Sequence, residues 1–396
     1  MEKISRPSGR LSGVSALFDG SRLTLARKLV GLKKTQVAEL VGMTPASVSA
    51  WENNSTKPSS STVARLSLVL EVEPQFFLPI SAEIAATVPH FRSLRSTTQT
   101  AQEQAAAYGR LVGDIGTLIE KSVEFPEKNL PVIPIDATQP SVDGPENAAR
   151  QARSFFGLPV GPVAHMVRLA ERAGVLVVFS APRTASIDAF SMEVDGRPIV
   201  VLNPEKDDYY RQRFDVAHEL GHLIMHSDAE PGGKIAEDQA HRFAAEFLTP
   251  AEQIESFLPR TTTDRGWEKL AHLKEHWGVS MQALLFRSRA LGVMSDVSYR
   301  NAMIRVSANG WRRAEPGAVV AVEMTSLIPR AVEVLEGAGV SAADIVRGPG
   351  LPLSVFETIA ARGPQNANSG IPSPVLSSLG APFQGLASAL LGSDKR

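Results

Sequence analysis

The 396-residue chain contains no cysteine. That single absence excludes disulfides, thiolate metal sites and a cysteine nucleophile, and it suits a reducing cytoplasm. Nowhere do about 18 apolar residues follow one another, and Met1-Glu2-Lys3-Ile4-Ser5-Arg6-Pro7 lacks the apolar centre of a signal peptide. A soluble cytoplasmic protein with no membrane partner is expected. Aromatics are sparse at 6%, and neither sign of charge dominates, the net being -1. That near-neutral sum hides a division. Residues 1–70 carry ten Lys+Arg against four Asp+Glu, which leaves the remainder with seven excess negative charges. A basic front on an acidic body points to a polyanion met by the first of two or three domains.

The most informative residues present are Phe214-Asp215-Val216-Ala217-His218-Glu219-Leu220-Gly221-His222. They contain H-E-x-x-H within an apolar, helix-forming context. At 3.6 residues per turn, His218 and His222 project from one face, one turn apart. Two imidazoles so placed can grip one Zn2+, with Glu219 beside them as general base. A zinc hydrolase needs a third protein ligand and one open position. Downstream, Ala240, Phe243, Ala244, Phe247 and Leu248 recur at three- and four-residue steps, predicting an amphipathic helix that Pro250 ends. Glu237, in its first turn, is the best-placed third ligand. Asp238, Glu246 and His241 compete with it.

The run Arg213 to His226, followed by Glu237-x-x-Ala240-x-x-Phe243-Ala244-Ala245-x-Phe247-Leu248-x-Pro250, resembles the ImmA/IrrE family of metallo-endopeptidases. The resemblance implies a gluzincin-type site with His218, His222 and Glu237 as zinc ligands and Glu219 as base. His241 stands where the family usually has Asn or Asp, a position that orients a ligand, so here it orients one or joins the metal. His226 reads as a supporting residue, since a further turn takes it too far for joint ligation.

Nearer the start, residues 22–30 and 35–41 read as helices, Gly42-Met43 as a tight turn, and Thr44 as the cap of a third helix with Pro45 at its first position. Val48 and Trp51 anchor that helix, leaving small polar residues on its outer face. Helix, glycine turn and capped helix form the helix-turn-helix arrangement. Together with Pro58 and the apolar helix from Val63 to Leu70, this resembles the XRE (Cro/repressor-like) DNA-binding domain. The resemblance implies a double-stranded DNA operator met by Lys34, Gln36, Thr44, Pro45, Ala46, Ser47, Ser49, Asn53 and Lys57. With no arginine on the recognition face, modest affinity per half-site and a homodimer are expected.

The fold class expected is mainly α with a small sheet (α+β): an all-α helix-turn-helix domain plus a zincin-like α+β domain. An N-terminal arm is expected over 1–20, the DNA-binding domain over 21–80, and a helical connector with a Pro-rich linker over 81–143. The peptidase domain follows over 144–300, a helical extension over 301–362, and a disordered tail over 363–396. Helices are expected at 147–156 and 163–173, and strands at 175–179 and 198–203, with a strand edge free to hold an extended substrate by β-addition. His272 and His276, though i and i+4, lack an acid base after the first and read as surface or core residues. The function these features imply is a DNA-binding regulator whose zinc endopeptidase cleaves a regulatory protein, a partner repressor or itself. The alternative is a repressor whose zincin-like body senses or dimerises without proteolysis.

Overall fold

Apolar spacing of three and four residues dominates the chain, and helix dominates the fold. The computed structural model describes residues 7–79, 90–91, 98–181, 189–206, 208–226, 233–312, 314–317 and 320–365. The expected disordered tail lies outside the described residues beyond 365. In chain order the first five helices are α1 (Pro7–Ala16), α2 (Gly20–Leu29), α3 (Lys34–Val41), α4 (Pro45–Glu52) and α5 (Ser60–Leu70). Strand β1 (His90–Phe91) precedes α6 (Gln99–Glu120), α7 (Gly144–Phe155) and α8 (Met166–Arg172). Strands β2 (Leu176–Phe179), β3 (Ala189–Val194) and β4 (Arg197–Leu202) come next. Then come α9 (Tyr209–Met225), α10 (Lys234–Leu248), α11 (Ala251–Ile254), α12 (Asp264–Trp277) and α13 (Met281–Ala290). The remaining helices are α14 (Asp296–Ala308), α15 (Leu327–Gly337), α16 (Ala342–Arg347) and α17 (Leu353–Ile359).

The sheet has the order β1-β3-β4-β2, with β2 parallel to β4 and the other pairs antiparallel. Alternation sorts its side chains between two cores. Leu176, Val178, Phe190, Met192, Val194, Ile199 and Val201 join a core built with α1 to α6 and α15 to α17. Val177, Phe179, Ala189, Val200 and Leu202 join the core of α7 to α10 and α12 to α14. The sheet is therefore the partition between a DNA-binding side and a peptidase side.

The structure departs from the expected organisation at several places. Residues 7–16 are helical rather than an arm, because Val14 and Phe18 are apolar enough to enter the first core. The connector contains a core helix: Tyr108, Leu111, Val112, Ile115 and Ile119 of α6 are buried between the helix-turn-helix and the sheet. Arg22 of α2 donates to Asp114 of α6 at 2.5 Å, and the Tyr108 hydroxyl donates to the Phe179 carbonyl at 2.8 Å. The Pro-rich stretch is strapped down, with the Ile133 and Ile135 amides donating to the Ile224 and Met225 carbonyls at 3.0 and 3.1 Å. The C-terminal extension divides, α14 packing on the peptidase side and α15 to α17 returning to the first core. On the β3 side of the sheet, His90 and Phe91 pair with Ser191 and Phe190.

Candidate metal centre and nucleic-acid interface

Helix α9 starts where the Asp208 carboxylate accepts from the Tyr210 and Arg211 amides, both at 3.0 Å. This is an N-cap that satisfies otherwise orphaned donors. Its apolar face carries Val216, Ala217, Leu220 and Ile224 into the core, which turns His218, Glu219 and His222 inward as well. Helix α10 crosses it closely at Gly221, where a Cβ would stand 2.9 Å from the Phe243 ring. That approach brings Glu237 to the two histidines. Its Oε2 lies 3.3 Å from His218 Nε2 and its Oε1 lies 3.3 Å from His222 Nε2. The two Nε2 atoms are 3.2 Å apart.

The donor set fits a metal. Among the described residues, the cluster able to hold one is His218, His222 and Glu237. Both Glu237 oxygens are buried without hydrogen-bonding partners, although the imidazole nitrogens are close. Atoms that approach without hydrogen-bond alignment suit lone pairs aimed at a common point. A deprotonated carboxylate and two imidazole nitrogens are what zinc takes.

The supporting contacts fix the histidine tautomer. Gln239 donates its amide to the Asp136 and Gln139 carbonyls, both at 3.0 Å, which turns its oxygen toward His226 Nε2 at 2.7 Å. Burial, with the neighbouring His222, pushes His226 down to about 4, so at neutral pH it is uncharged and its one proton sits on Nε2. Its bare Nδ1 then accepts from His222 Nδ1, 3.1 Å away. That leaves His222 Nε2 unprotonated and facing Glu237, the form a ligand requires.

Glu219 is fully buried, and burial pushes its carboxyl up to about 7. Ser191 of β3 donates its hydroxyl to Glu219 Oε2 at 2.7 Å, while Oε1 has no hydrogen-bonding partner. Such a carboxylate, poised near neutrality beside the ligands, suits proton transfer.

The other candidates lie elsewhere. His241 is held between the rings of Phe214 and Phe286, with centroids 4.8 and 5.0 Å away, rather than in the ligand cluster. Glu246 is ion-paired with Arg150 at 3.0 Å and with Arg287, and Asp238 is exposed. His272 and His276 are exposed. Ser191 and Gln239 escaped the sequence reading. Neither carried a signal in sequence, because strand β3 shows no clean alternation that would mark Ser191 and Gln239 is one polar residue among several on its helix.

In the first module, Thr44 caps α4 by accepting from the Ser47 amide at 3.2 Å, and Gly42 takes the left-handed turn at φ 67. Val48 and Trp51 are buried, which leaves Thr44, Pro45 and Ala46 exposed and Ser47 and Ser49 half-buried. Asn53 is exposed. Gln36 uses its oxygen to cap α3, accepting from the Lys33 amide at 2.8 Å. Lys34 pairs with Glu52 at 3.1 Å, and Lys57 donates to the Ala16 carbonyl. Both expected phosphate-contacting lysines therefore already have intramolecular partners.

Fold and site together define a helix-turn-helix DNA-binding domain joined to a metallopeptidase-type domain. Residues 23–77 match the family described as Helix-turn-helix, and residues 170–289 match peptidase family M78, described as IrrE N-terminal-like domain. The chain is thus an XRE-type helix-turn-helix fused to an ImmA/IrrE-like domain. No curated protein matches it. No helix among the described residues is long and apolar enough to cross a membrane.

Proposed function

We propose that the protein is a cytoplasmic DNA-binding regulator whose zinc-dependent endopeptidase cuts a regulatory protein, either a partner repressor or another copy of itself. The observation that carries this reading is the convergence of His218, His222 and Glu237 beside the buried carboxyl of Glu219. These three residues would hold Zn2+, which when bound supplies Lewis-acid polarisation of a carbonyl and acidifies water. Glu219 takes the proton from the attacking water and delivers it to the departing amide nitrogen. Ser191 fixes the Glu219 carboxylate for that transfer, and His226 with Gln239 holds His222 in its ligating tautomer. The exposed start of α4 addresses the peptidase to an operator, read by a homodimer through Thr44, Pro45, Ala46, Ser47 and Ser49. Gln36, Asn53 and the lysines Lys34 and Lys57 lie beside that face, the lysines reaching phosphate only by leaving their present partners.

The test is incubation of the zinc-loaded full-length protein with the products of neighbouring genes and with itself, beside Glu219→Gln. Wild type should cut, and Glu219→Gln should hold about one zinc per chain without cutting. Cleavage by Glu219→Gln at the wild-type rate would refute the assignment.

A further inference from the structure

Helix α6 packs on α2 of the DNA-binding module with one face and on strands β3 and β4 with another. On the first face Asp114 is buried and both its oxygens accept, Oδ2 from Arg22 at 2.5 Å and Oδ1 from Arg110 at 3.1 Å. Arg22 is buried too, donates Nε to the Phe76 carbonyl at 3.1 Å and lies over the Phe76 ring. Two residues earlier, Gly20 lets α2 start against the end of α4, where a Cβ would collide with the Trp51 and Glu52 carbonyls. The recognition helix is thus seated on α2, and α2 is ion-paired to α6.

The face of α6 toward the sheet carries Gly109, Gly113 and Gly116. A Cβ at 109 would overlap the Met192 sulfur, one at 113 would stand 2.5 Å from Val194 Cγ1, and one at 116 would stand 2.7 Å from Leu176 Cδ1. The helix backbone therefore rests directly on the strand side chains. Successive residues of a strand point to opposite faces. Met192 meets α6, and its neighbour Ser191 leaves the other face to donate to Glu219 at 2.7 Å.

Joints packed this closely pass a displacement on rather than absorb it. A shift of α4 on DNA either parts Arg22 from Asp114 or carries α6 with it. Parting them would take the counter-ion from a buried guanidinium, which is the costlier course. A moving α6 takes Met192 along, and Ser191 with it. In the other direction, a cation beside Glu219 attracts that carboxylate, and Ser191 follows through its hydrogen bond. We propose that α6 couples the DNA-binding face to the metal centre, so that DNA on α4 and an ion among His218, His222 and Glu237 each change the affinity for the other. The base of the peptidase is then set by whether the chain is on DNA. This inference rests on the reading of both sites given above.

Coupling of two binding events is reciprocal, so DNA affinity reads it without any peptide substrate. The experiment is fluorescence anisotropy of the duplex upstream of the chain's own gene, titrated with full-length protein in zinc and in chelator. Low ionic strength keeps the phosphate contacts in play. Zinc should change the duplex affinity about fivefold or more. Arg22→Met with Asp114→Leu, which replaces the buried ion pair by apolar side chains, should bring that ratio toward one while the duplex still binds. Zinc should have no effect on His218→Ala with His222→Ala. An affinity that zinc leaves unchanged overturns the coupling. So does a ratio that survives either pair of substitutions, because α6 or the metal centre would then not be its carrier. Should the Arg22 and Asp114 variant not fold, the methyl carbon of Met192 serves instead, labelled with ¹³C and assigned by its loss in Met192→Leu. Its resonance should move when the duplex binds wild type in chelator, and an unmoved resonance overturns the coupling. Failure of the duplex to bind removes the DNA reading, failure of zinc to bind removes the metal reading, and either takes the coupling with it.

Discussion

The Ser191 hydroxyl donates to Glu219 Oε2 at 2.7 Å, across 28 residues of sequence and from the sheet to the H-E-x-x-H helix. Glu219 is buried and its other oxygen has no hydrogen-bonding partner, so this contact sets the direction of the carboxylate. Ser191→Ala should therefore lower kcat about tenfold, keeping part of the 10²–10⁴ that a positioned base supplies. Ser191→Thr, which retains the hydroxyl, should restore most of it. Zinc content should stay the same in both variants. Steady-state kinetics with metal analysis checks this, and an unchanged kcat in Ser191→Ala would deny the serine any positioning role.

The Gln239–His226–His222 series makes a different prediction, because it acts on affinity for metal. Gln239→Ala frees the His226 ring and lets His222 adopt the wrong tautomer. Zinc affinity should fall about 10- to 100-fold. His241→Ala should leave zinc affinity as it is, since the ring lies between Phe214 and Phe286. Competition against a chromophoric chelator measures both. Loss of zinc from His241→Ala, with Glu237→Ala unaffected, would reverse the assignment of the third ligand.

Among the described residues Arg213 is the largest fully buried side chain, and its guanidinium joins three parts of the chain. It donates to the Gly278 carbonyl at 3.0 Å, to Glu323 Oε1 at 2.6 Å and to the Val163 carbonyl at 2.6 Å. Removing it takes the arginine partner from buried Glu323, whose Oε2 keeps the Val167 amide at 2.7 Å and His165 at 2.9 Å. Arg213→Ala should destabilise the protein by about 3–5 kcal/mol, read as a lower urea midpoint. Replacing Arg213 and Glu323 together by apolar residues should cost less than Arg213→Ala alone, because no charge is left behind.

The exposed first turn of α4 can be tested with a carboxylate. Ala46→Glu places negative charge where phosphates approach, yet a glutamate suits a helix N-terminus and should leave the fold intact. Operator affinity should drop by about 1–3 kcal/mol with an unchanged circular dichroism spectrum. Full affinity in Ala46→Glu would place the DNA on another face.

Much of this was legible because helices announce themselves locally. The spacing of His218 and His222, the Thr44-Pro45 cap and the apolar stripe around Phe243 each follow from rules within one turn of chain. Strand β3 was not legible. Ala-Phe-Ser-Met-Glu-Val is buried on both faces, so it shows no clean alternation. Helix α6 read as a helical connector, and what its pattern did not disclose is that Leu111, Val112 and Ile115 are buried between the helix-turn-helix and the sheet, which is decided by tertiary packing. The partners of Glu219 and His226 depend on tertiary approach, which no spacing rule encodes. Position four after Glu237 put His241 on the right helix face, but the rings of Phe214 and Phe286 decided where it sits.

Metal binding should also be visible as stability. His218, His222 and Glu237 crowd one another in the peptidase core, and a cation bound among them would favour the folded chain by mass action. Zinc at about a thousand times its Kd should add about 4 kcal/mol to the unfolding free energy of the peptidase side. Chelator should remove that increment, and so should His218→Ala with His222→Ala. Thermal unfolding with zinc, with chelator and in the double variant measures it. If zinc raised the midpoint of the double variant as much as that of wild type, it would be binding elsewhere in the chain.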